Sequence, residues 1–205
     1  MLMENDFLAK LLEKIYENSR FPKYQMERRI DIFFNFFLPE IFKHEFGEDY
    51  ELDIIIPELP IKSPDSNRSA NLDYFVVCKK MKTAFLVELK TYDFSFDSKQ
   101  LRRYGIMQSD GISKIKSDVD QILATTSSNF RICYENLRYS LSTIADDTQL
   151  ELVYLLPEMA MRKLQKVADK EGIKVRFITL ESLKSINISG PYSHEWDIFK
   201  TSNLI

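Results

Sequence analysis

Three charged side chains lie in a stretch of the sequence that otherwise predicts two buried strands. Asp73 belongs to the apolar run 70–78, and Glu88 and Lys90 close a second apolar run. Side chains alternate between the two faces of a strand, so Glu88 and Lys90 point the same way, about 7 Å apart at their α-carbons. If the runs form an antiparallel hairpin that turns near residues 79–82, Asp73 lies close to Glu88. The sequence therefore predicts two acids and a lysine at one end of a sheet.

This set of residues is suited to metal-assisted hydrolysis. Two adjacent carboxylates repel each other and are costly to bury unless a positive charge lies between them. Lys90 and a divalent cation are the candidates for that charge. Mg²⁺ prefers carboxylate and carbonyl oxygens, so Asp73, Glu88 and the backbone carbonyl of Leu89 form the predicted ligand set, with Mn²⁺ as a substitute. Phosphodiester hydrolysis needs a nucleophilic water and stabilisation of negative charge, and we expect Lys90 to serve both needs.

The composition is that of a folded domain. Of 205 residues, 44% are hydrophobic and 29% are charged, which allows a substantial core. The net charge of −3 predicts that any surface for nucleic acid is local. No zinc-binding cysteine spacing is present, and with His44 and His194 as the only histidines a histidine-rich metal site is excluded. Neither a signal sequence nor a membrane span is recognisable, so we expect a cytoplasmic protein with no membrane partner.

Apolar periodicity predicts the elements that position these residues. A helix at 4–18 precedes a mostly apolar helix at 23–42, in which Pro39 predicts a kink or an end. The other predicted elements are strands at 51–56, 149–156 and 174–178, the hairpin, and helices at 97–107, 111–124, 134–144 and 158–170. A meander followed by a strand–helix–strand crossover predicts an α/β fold, with one mixed sheet between helices.

The Asp73 and Glu88-Leu89-Lys90 pattern, on strands in this order, resembles the PD-(D/E)XK nuclease superfamily. The resemblance implies the restriction-endonuclease-like three-layer fold, a mixed central sheet flanked by helices (αβββαβ core), and the chain follows that order from about 23 to 178. It also implies a magnesium-dependent nuclease that hydrolyses DNA phosphodiester bonds. The proline that names the superfamily is absent, since Leu72 precedes Asp73.

The domain organisation follows from the same resemblance. Residues 1–205 are expected to form a single nuclease-like domain. The helix at 4–18 and the C-terminal tail at 186–205 are additions to the core, and Trp196 is expected to dock that tail.

A second motif lies on the predicted helix after the hairpin. Gln100-Leu101-Arg102-Arg103-Tyr104 is similar to the Gln-x-x-x-Tyr motif of the lambda-exonuclease-like branch of this superfamily. Residues four apart share one face of a helix, so the resemblance implies that Gln100 supports the site and that Tyr104 touches a phosphate. Many members add an acid from the first core helix, and Glu27 is the choice for it here, with Asp31 as the alternative.

Substrate binding is expected to show as local positive charge. Residues 97–116 carry five basic and two acidic side chains, and Arg102 and Arg103 flank the face that Gln100 shares with Tyr104. Arg68, in the loop before the hairpin, is a further candidate for phosphate contact. Such side chains hold a nucleic-acid backbone without reading its sequence.

Two other interpretations use the same residues. In one, the domain is a catalytically inactive nuclease-fold module that binds nucleic acid or a protein partner in a defence or repair assembly. In the other, Asp73, Glu88 and Lys90 form a structural ion-pair network, for which a direct Lys90–Glu88 salt bridge with Asp73 facing solvent would be the sign. The sequence leaves open DNA or RNA as substrate, end-dependent or internal cleavage, and action alone, as a homodimer or in a larger complex.

Overall fold

Helices cover both faces of a mixed sheet in the computed structural model, which describes residues 7–21, 25–62, 69–92 and 97–205. Within these ranges the strands are β1 (Ile54–Lys62), β2 (Ser69–Cys78), β3 (Thr83–Leu89), β4 (Gln149–Leu156) and β5 (Arg176–Thr179). The helices are α1 (Phe7–Asn18), α2 (Glu27–Phe46), α3 (Ser98–Thr125), α4 (Ser128–Ser142), α5 (Glu158–Glu171), α6 (Leu180–Leu183) and α7 (Ser193–Thr201).

The sheet has the order β1-β2-β3-β4-β5. The first three strands pair antiparallel as a meander, whereas β3, β4 and β5 pair parallel. The parallel pairs are joined by helical crossovers, α3 and α4 before β4 and α5 before β5, as parallel pairing requires. The α/β class and the mixed sheet predicted from the sequence are confirmed.

The hairpin around the charged residues is present. β2 and β3 pair antiparallel as far as Tyr74 and Val87, and a turn at 79–82 joins them. β3 is buried along its whole length, as expected for a central strand covered on both faces. Asp73 and Glu88 are the next residues outward in this register, so they lie opposite each other at the open end of the hairpin.

Two separate cores fill the space above and below the sheet. The α1, α2, α6 and α7 layer packs on one face, and the α3, α4 and α5 layer packs on the other. Along β3, Val87 and Leu89 enter the first core and Leu86 enters the second. Alternation therefore turns Glu88 toward the α3 layer.

The C-terminal segment is held to the first core by Trp196, as the sequence predicts. The indole is fully buried and packs edge to face on Phe37, with ring centroids 5.0 Å apart. Its N–H donates a hydrogen bond to the carbonyl of Ile186 at 2.8 Å, so the polar end of the side chain is satisfied as well.

Several predicted boundaries differ from the structure: α4 begins at Ser128 and not at 134, and two further elements run past prolines. α2 continues through Pro39 to Phe46, since Leu38 and Ile41 beside the proline are fully buried and this packing outweighs the lost backbone hydrogen bond. β1 extends to Lys62 instead of ending at 56. It is an edge strand, where proline is tolerated because the missing N–H leaves no neighbouring strand unpaired.

The predicted break in α3 is present at Gly111. This glycine has φ 75° and ψ −171° inside an otherwise helical segment, a conformation that other residues rarely adopt. None of the described helices is long and apolar enough to cross a membrane.

Candidate active site

A pocket of about 330 Å³ lies at the open end of the β2–β3 hairpin. Five elements contribute to its wall: α2, β1, β2, β3 and α3. Acidic side chains dominate the lining, and they are Glu27, Asp31, Glu58, Asp73 and Glu88. Lys90 and Arg28 are the basic residues of the wall. Such an excess of acids in one concave site needs protons or cations to be stable.

Glu88 is the most buried acid of the pocket, with 2% of its surface exposed. Its Oε1 accepts hydrogen bonds from Lys90 Nζ at 2.5 Å and from Gln100 Nε2 at 2.7 Å. Its Oε2 accepts from the Tyr104 hydroxyl at 2.6 Å. Both oxygens are therefore satisfied by donors from the protein, which is the condition for burying a charged carboxylate.

Asp73 is half-buried and turned toward the backbone of β3. Its Oδ2 accepts a hydrogen bond from the N–H of Leu89 at 2.7 Å. Burial, followed by the negative charge of Glu88, raises the pKa of Asp73 to about 8, although the Leu89 N–H and the Lys90 charge act in the opposite direction. Without a bound cation, Asp73 is therefore mostly protonated at pH 7.

Lys90 lies between two acids and is largely buried. In addition to its contact with Glu88, its Nζ lies 4.0 Å from Glu27 Oε1. Burial acts to lower the pKa of Lys90, but the charges of Glu88 and Glu27 together raise it above the ordinary value. Lys90 thus keeps its proton at neutral pH, so it supplies positive charge and does not act as a proton acceptor.

Glu27 reaches the pocket from the first turn of α2. Burial raises its pKa, with the charge of Lys90 opposing that effect. Asp31, one turn further along, also lines the pocket, and its backbone carbonyl accepts a hydrogen bond from Tyr74 at 2.7 Å. Of the two, Glu27 is the acid in contact with Lys90.

Gln100 and Tyr104 share a helix face, as their spacing predicts, but only Gln100 lines the pocket. The Gln100 amide also donates to the Tyr104 hydroxyl at 3.0 Å. Tyr104 is fully buried, and burial together with Glu88 raises the pKa of its hydroxyl well above the usual range. The prediction that Tyr104 touches a phosphate is therefore wrong. It lies beneath the site and holds the Glu88 carboxylate.

The predicted phosphate-binding arginines lie outside this pocket. Arg102 forms two hydrogen bonds with the Glu171 carboxylate of α5, at 3.0 and 2.7 Å. Arg103 lines a neighbouring groove together with Arg102. Arg68 lies outside the described residues.

Sequence reasoning missed three charged or amide side chains of the pocket wall: Arg28, Glu58 and Asn71. Glu58 lies opposite Asp73 in the β1–β2 register and has φ 53°, an uncommon value for a residue with a side chain. The Asn71 amide donates to the Glu58 carboxylate at 2.7 Å. Asn71 precedes Asp73 by two positions on one strand, and this spacing was the available signal for it.

The donor set of the pocket fits a hard cation. Mg²⁺ binds proteins through one or two carboxylates and retains several waters, and Asp73 and Glu88 supply two carboxylates side by side. Leu89, proposed to contribute its carbonyl, lines the pocket between them. Among the described residues, no three acidic, histidine or cysteine side chains converge in a ready-made metal site.

The fold and the pocket together define an α/β protein with a carboxylate–lysine site at one end of a mixed sheet. No family model matches the chain, and neither the curated proteins nor the solved structures give a match. The chemistry of the site is therefore inferred from its geometry.

Proposed function

We propose that this chain is a metal-dependent nuclease of PD-(D/E)XK type with a restriction-endonuclease-like fold, and that it hydrolyses phosphodiester bonds of DNA. One observation carries the proposal. The register of a single hairpin brings Asp73, Glu88 and Lys90 into one pocket, and Gln100 joins them through a hydrogen bond to Glu88. The order of helices and strands around that hairpin supports the same family.

The roles of the residues follow from their environments. Asp73 and Glu88 would hold Mg²⁺, which supplies positive charge and makes water a better nucleophile. Asp73 would lose its proton on binding a cation, because the cation would replace the proton as the neutralising charge. Lys90, which keeps its charge, stabilises negative charge developing on the phosphate. Gln100 and Tyr104 fix the orientation of Glu88.

Cleavage assays with matched variants test this proposal. Linear, circular and single-stranded DNA, and RNA, are incubated with Mg²⁺, Mn²⁺ or EDTA. We expect metal-dependent cleavage by the wild-type protein and its loss in Lys90→Ala and Glu88→Gln. Lys184→Ala is the matched control, because Lys184 is exposed and does not line the pocket. No cleavage by the wild type, or equal cleavage by all variants, would contradict the proposal.

A second candidate is a catalytically inactive module of the same fold that binds nucleic acid or a protein partner. Both oxygens of Glu88 already have protein donors, which favours this candidate, whereas the direct Lys90–Glu88 salt bridge is one of the two signs of a structural ion-pair network. Asp73 argues against a purely structural network, because its carboxyl group is turned toward the Leu89 N–H and its raised pKa opposes stability. Calorimetric titration with Mg²⁺ separates the two candidates, since only the nuclease requires a cation at Asp73 and Glu88.

A further inference from the structure

A groove of about 750 Å³ runs beside the candidate active site, between the end of β1 and α3. Five basic side chains line it, against two acidic ones, Asp110 and Asp118. The basic residues are Lys62, Lys99, Arg102, Arg103 and Lys114. The chain as a whole has a net charge of −3, so this groove is a local departure from the general charge of the protein.

Carboxylates neutralise only part of this positive charge. Arg102 pairs with Glu171, and Lys114 pairs with Asp118. Lys62 donates to the uncharged amide of Gln121. Among the residues that the structure describes, Lys62, Lys99 and Arg103 form no ion pair, so three positive charges in the groove are available to an anionic ligand.

The floor of the groove is apolar. Ile61 and Met107 are buried there, and Ile106 is exposed over 57% of its surface. A duplex hides the faces of its bases in the stack, whereas a single strand offers them to apolar side chains while its phosphates contact basic ones. A positive rim over an apolar floor thus matches a single strand better than a duplex.

The groove lies next to the active-site pocket along the first turns of α3. Gln100, which donates to Glu88, lies between Lys99 and Arg103 in the sequence of this helix, and these two line the groove. From Lys99 to Asp110 the helix rises about 16 Å, a length that several nucleotides of an extended strand can span.

We propose that this groove binds a single strand of nucleic acid. The bound segment adjoins the phosphate group that would be cleaved at Asp73 and Glu88. The inference rests on the proposed nuclease function. It adds that the substrate has an unpaired strand next to the bond that is cleaved. Lys99 and Arg103 contact the phosphates nearest to the active site, and Lys62 contacts the strand from the opposite wall.

Binding of a fluorescent oligodeoxythymidine single strand, measured by anisotropy in EDTA at several salt concentrations, tests the inference without cleavage. The Lys99→Glu/Arg103→Glu variant is expected to lose at least about tenfold in affinity. Since each single-strand phosphate contact contributes about −0.7 to the slope of log K against log salt, its slope becomes shallower by about 1.4. Lys79→Glu/Lys184→Glu, with the same charge change at exposed sites away from the groove, keeps the wild-type slope. A milder pair, Lys99→Gln/Arg103→Gln, repeats the test should charge reversal impair folding.

Three outcomes would overturn the inference. The first is that the wild type does not bind the strand, and the second is that the groove and control variants lose affinity equally. The third is that a blunt duplex binds as tightly as the single strand and depends equally on Lys99 and Arg103. Cleavage assays report separately on the proposed function. If the wild type binds the strand in the groove but cleaves no substrate, the proposed nuclease is rejected and the groove is retained as a binding site. If the groove variants bind and cleave as the wild type does, the groove is rejected and the nuclease is retained.

Discussion

Replacing Asp73 with asparagine is expected to stabilise the metal-free protein at neutral pH. An asparagine has the same shape as a protonated aspartic acid, and its side-chain oxygen can still accept the hydrogen bond from Leu89 that Asp73 accepts at 2.7 Å. The substitution removes a carboxyl group that burial and Glu88 hold in an unfavourable state. A residue proposed to hold the metal is thus predicted to reduce the stability of the metal-free fold.

The magnitude follows from the pKa of Asp73. This carboxyl ionises at 3.8 when unperturbed and at about 8 in the folded protein. Keeping it protonated at pH 7 costs about 1.4 kcal/mol for each of roughly three pH units, or about 4 kcal/mol as an upper limit. Because part of Asp73 remains in contact with water, which screens the repulsion, we expect Asp73→Asn to gain about 2 kcal/mol at pH 7.

The pH dependence gives the sign of the effect. Between pH 3.8 and about 8 the folded protein binds more protons at Asp73 than the unfolded chain does. The contribution of this residue to stability therefore falls as pH rises through that window. The advantage of Asp73→Asn should be close to zero near pH 4 and largest above pH 8.

Urea unfolding in EDTA at pH 4.5, 7 and 8.5 measures this difference. Asp120→Asn is the matched control, because Asp120 is an exposed acid of α3 and its replacement should change the free energy of unfolding by less than about 0.5 kcal/mol at each pH. A destabilised Asp73→Asn protein at pH 7, or a difference that does not change with pH, would refute the electrostatic reasoning.

Three further predictions concern the same cluster. Tyr104→Phe is expected to destabilise the protein by about 2 kcal/mol in urea unfolding, because a buried donor to the charged Glu88 is lost. Lys90→Ala should cost about 3 kcal/mol, since it leaves the Glu88 carboxylate buried without its cation, and adding Glu88→Gln should recover part of that loss in a double-mutant cycle. Mg²⁺ should bind more tightly at pH 8.5 than at pH 6.5, because Asp73 must lose a proton first. Calorimetry in buffers of different ionisation enthalpy would show that proton, and a pH-independent affinity without proton release would contradict the assignment.

Local pattern was sufficient to predict the central hairpin. Two apolar runs on either side of a Lys-rich turn predict two paired strands, and the alternation of side chains along a strand predicts that Glu88 and Lys90 share one face. Gly111 likewise marks the break in α3, since its backbone conformation is one that other residues rarely adopt. These features depend on residues close together in the sequence, where periodicity and backbone sterics act directly.

The sequence was a poor guide where burial decides the structure. Pro39 predicts a kink or an end within the helix at 23–42, but the packing of its neighbours carries α2 through it to Phe46. The strand predicted at 51–56 is too short, because β1 is an edge strand and continues past its prolines to Lys62. Glu58 was missed for this reason, since its place opposite Asp73 depends on the full length of β1.

The sequence by itself determined which residues could do the chemistry: an acid on one strand, an acid and a lysine on the next, and a glutamine on the following helix. Only the tertiary structure decided how these side chains change one another's pKa values. Periodicity gives the direction of a side chain, but a pKa depends on burial and on every charge nearby. Tyr104 shows the difference, because its spacing from Gln100 was correctly interpreted as a shared helix face, while its burial beneath Glu88 makes it a support for the site instead of a contact for substrate.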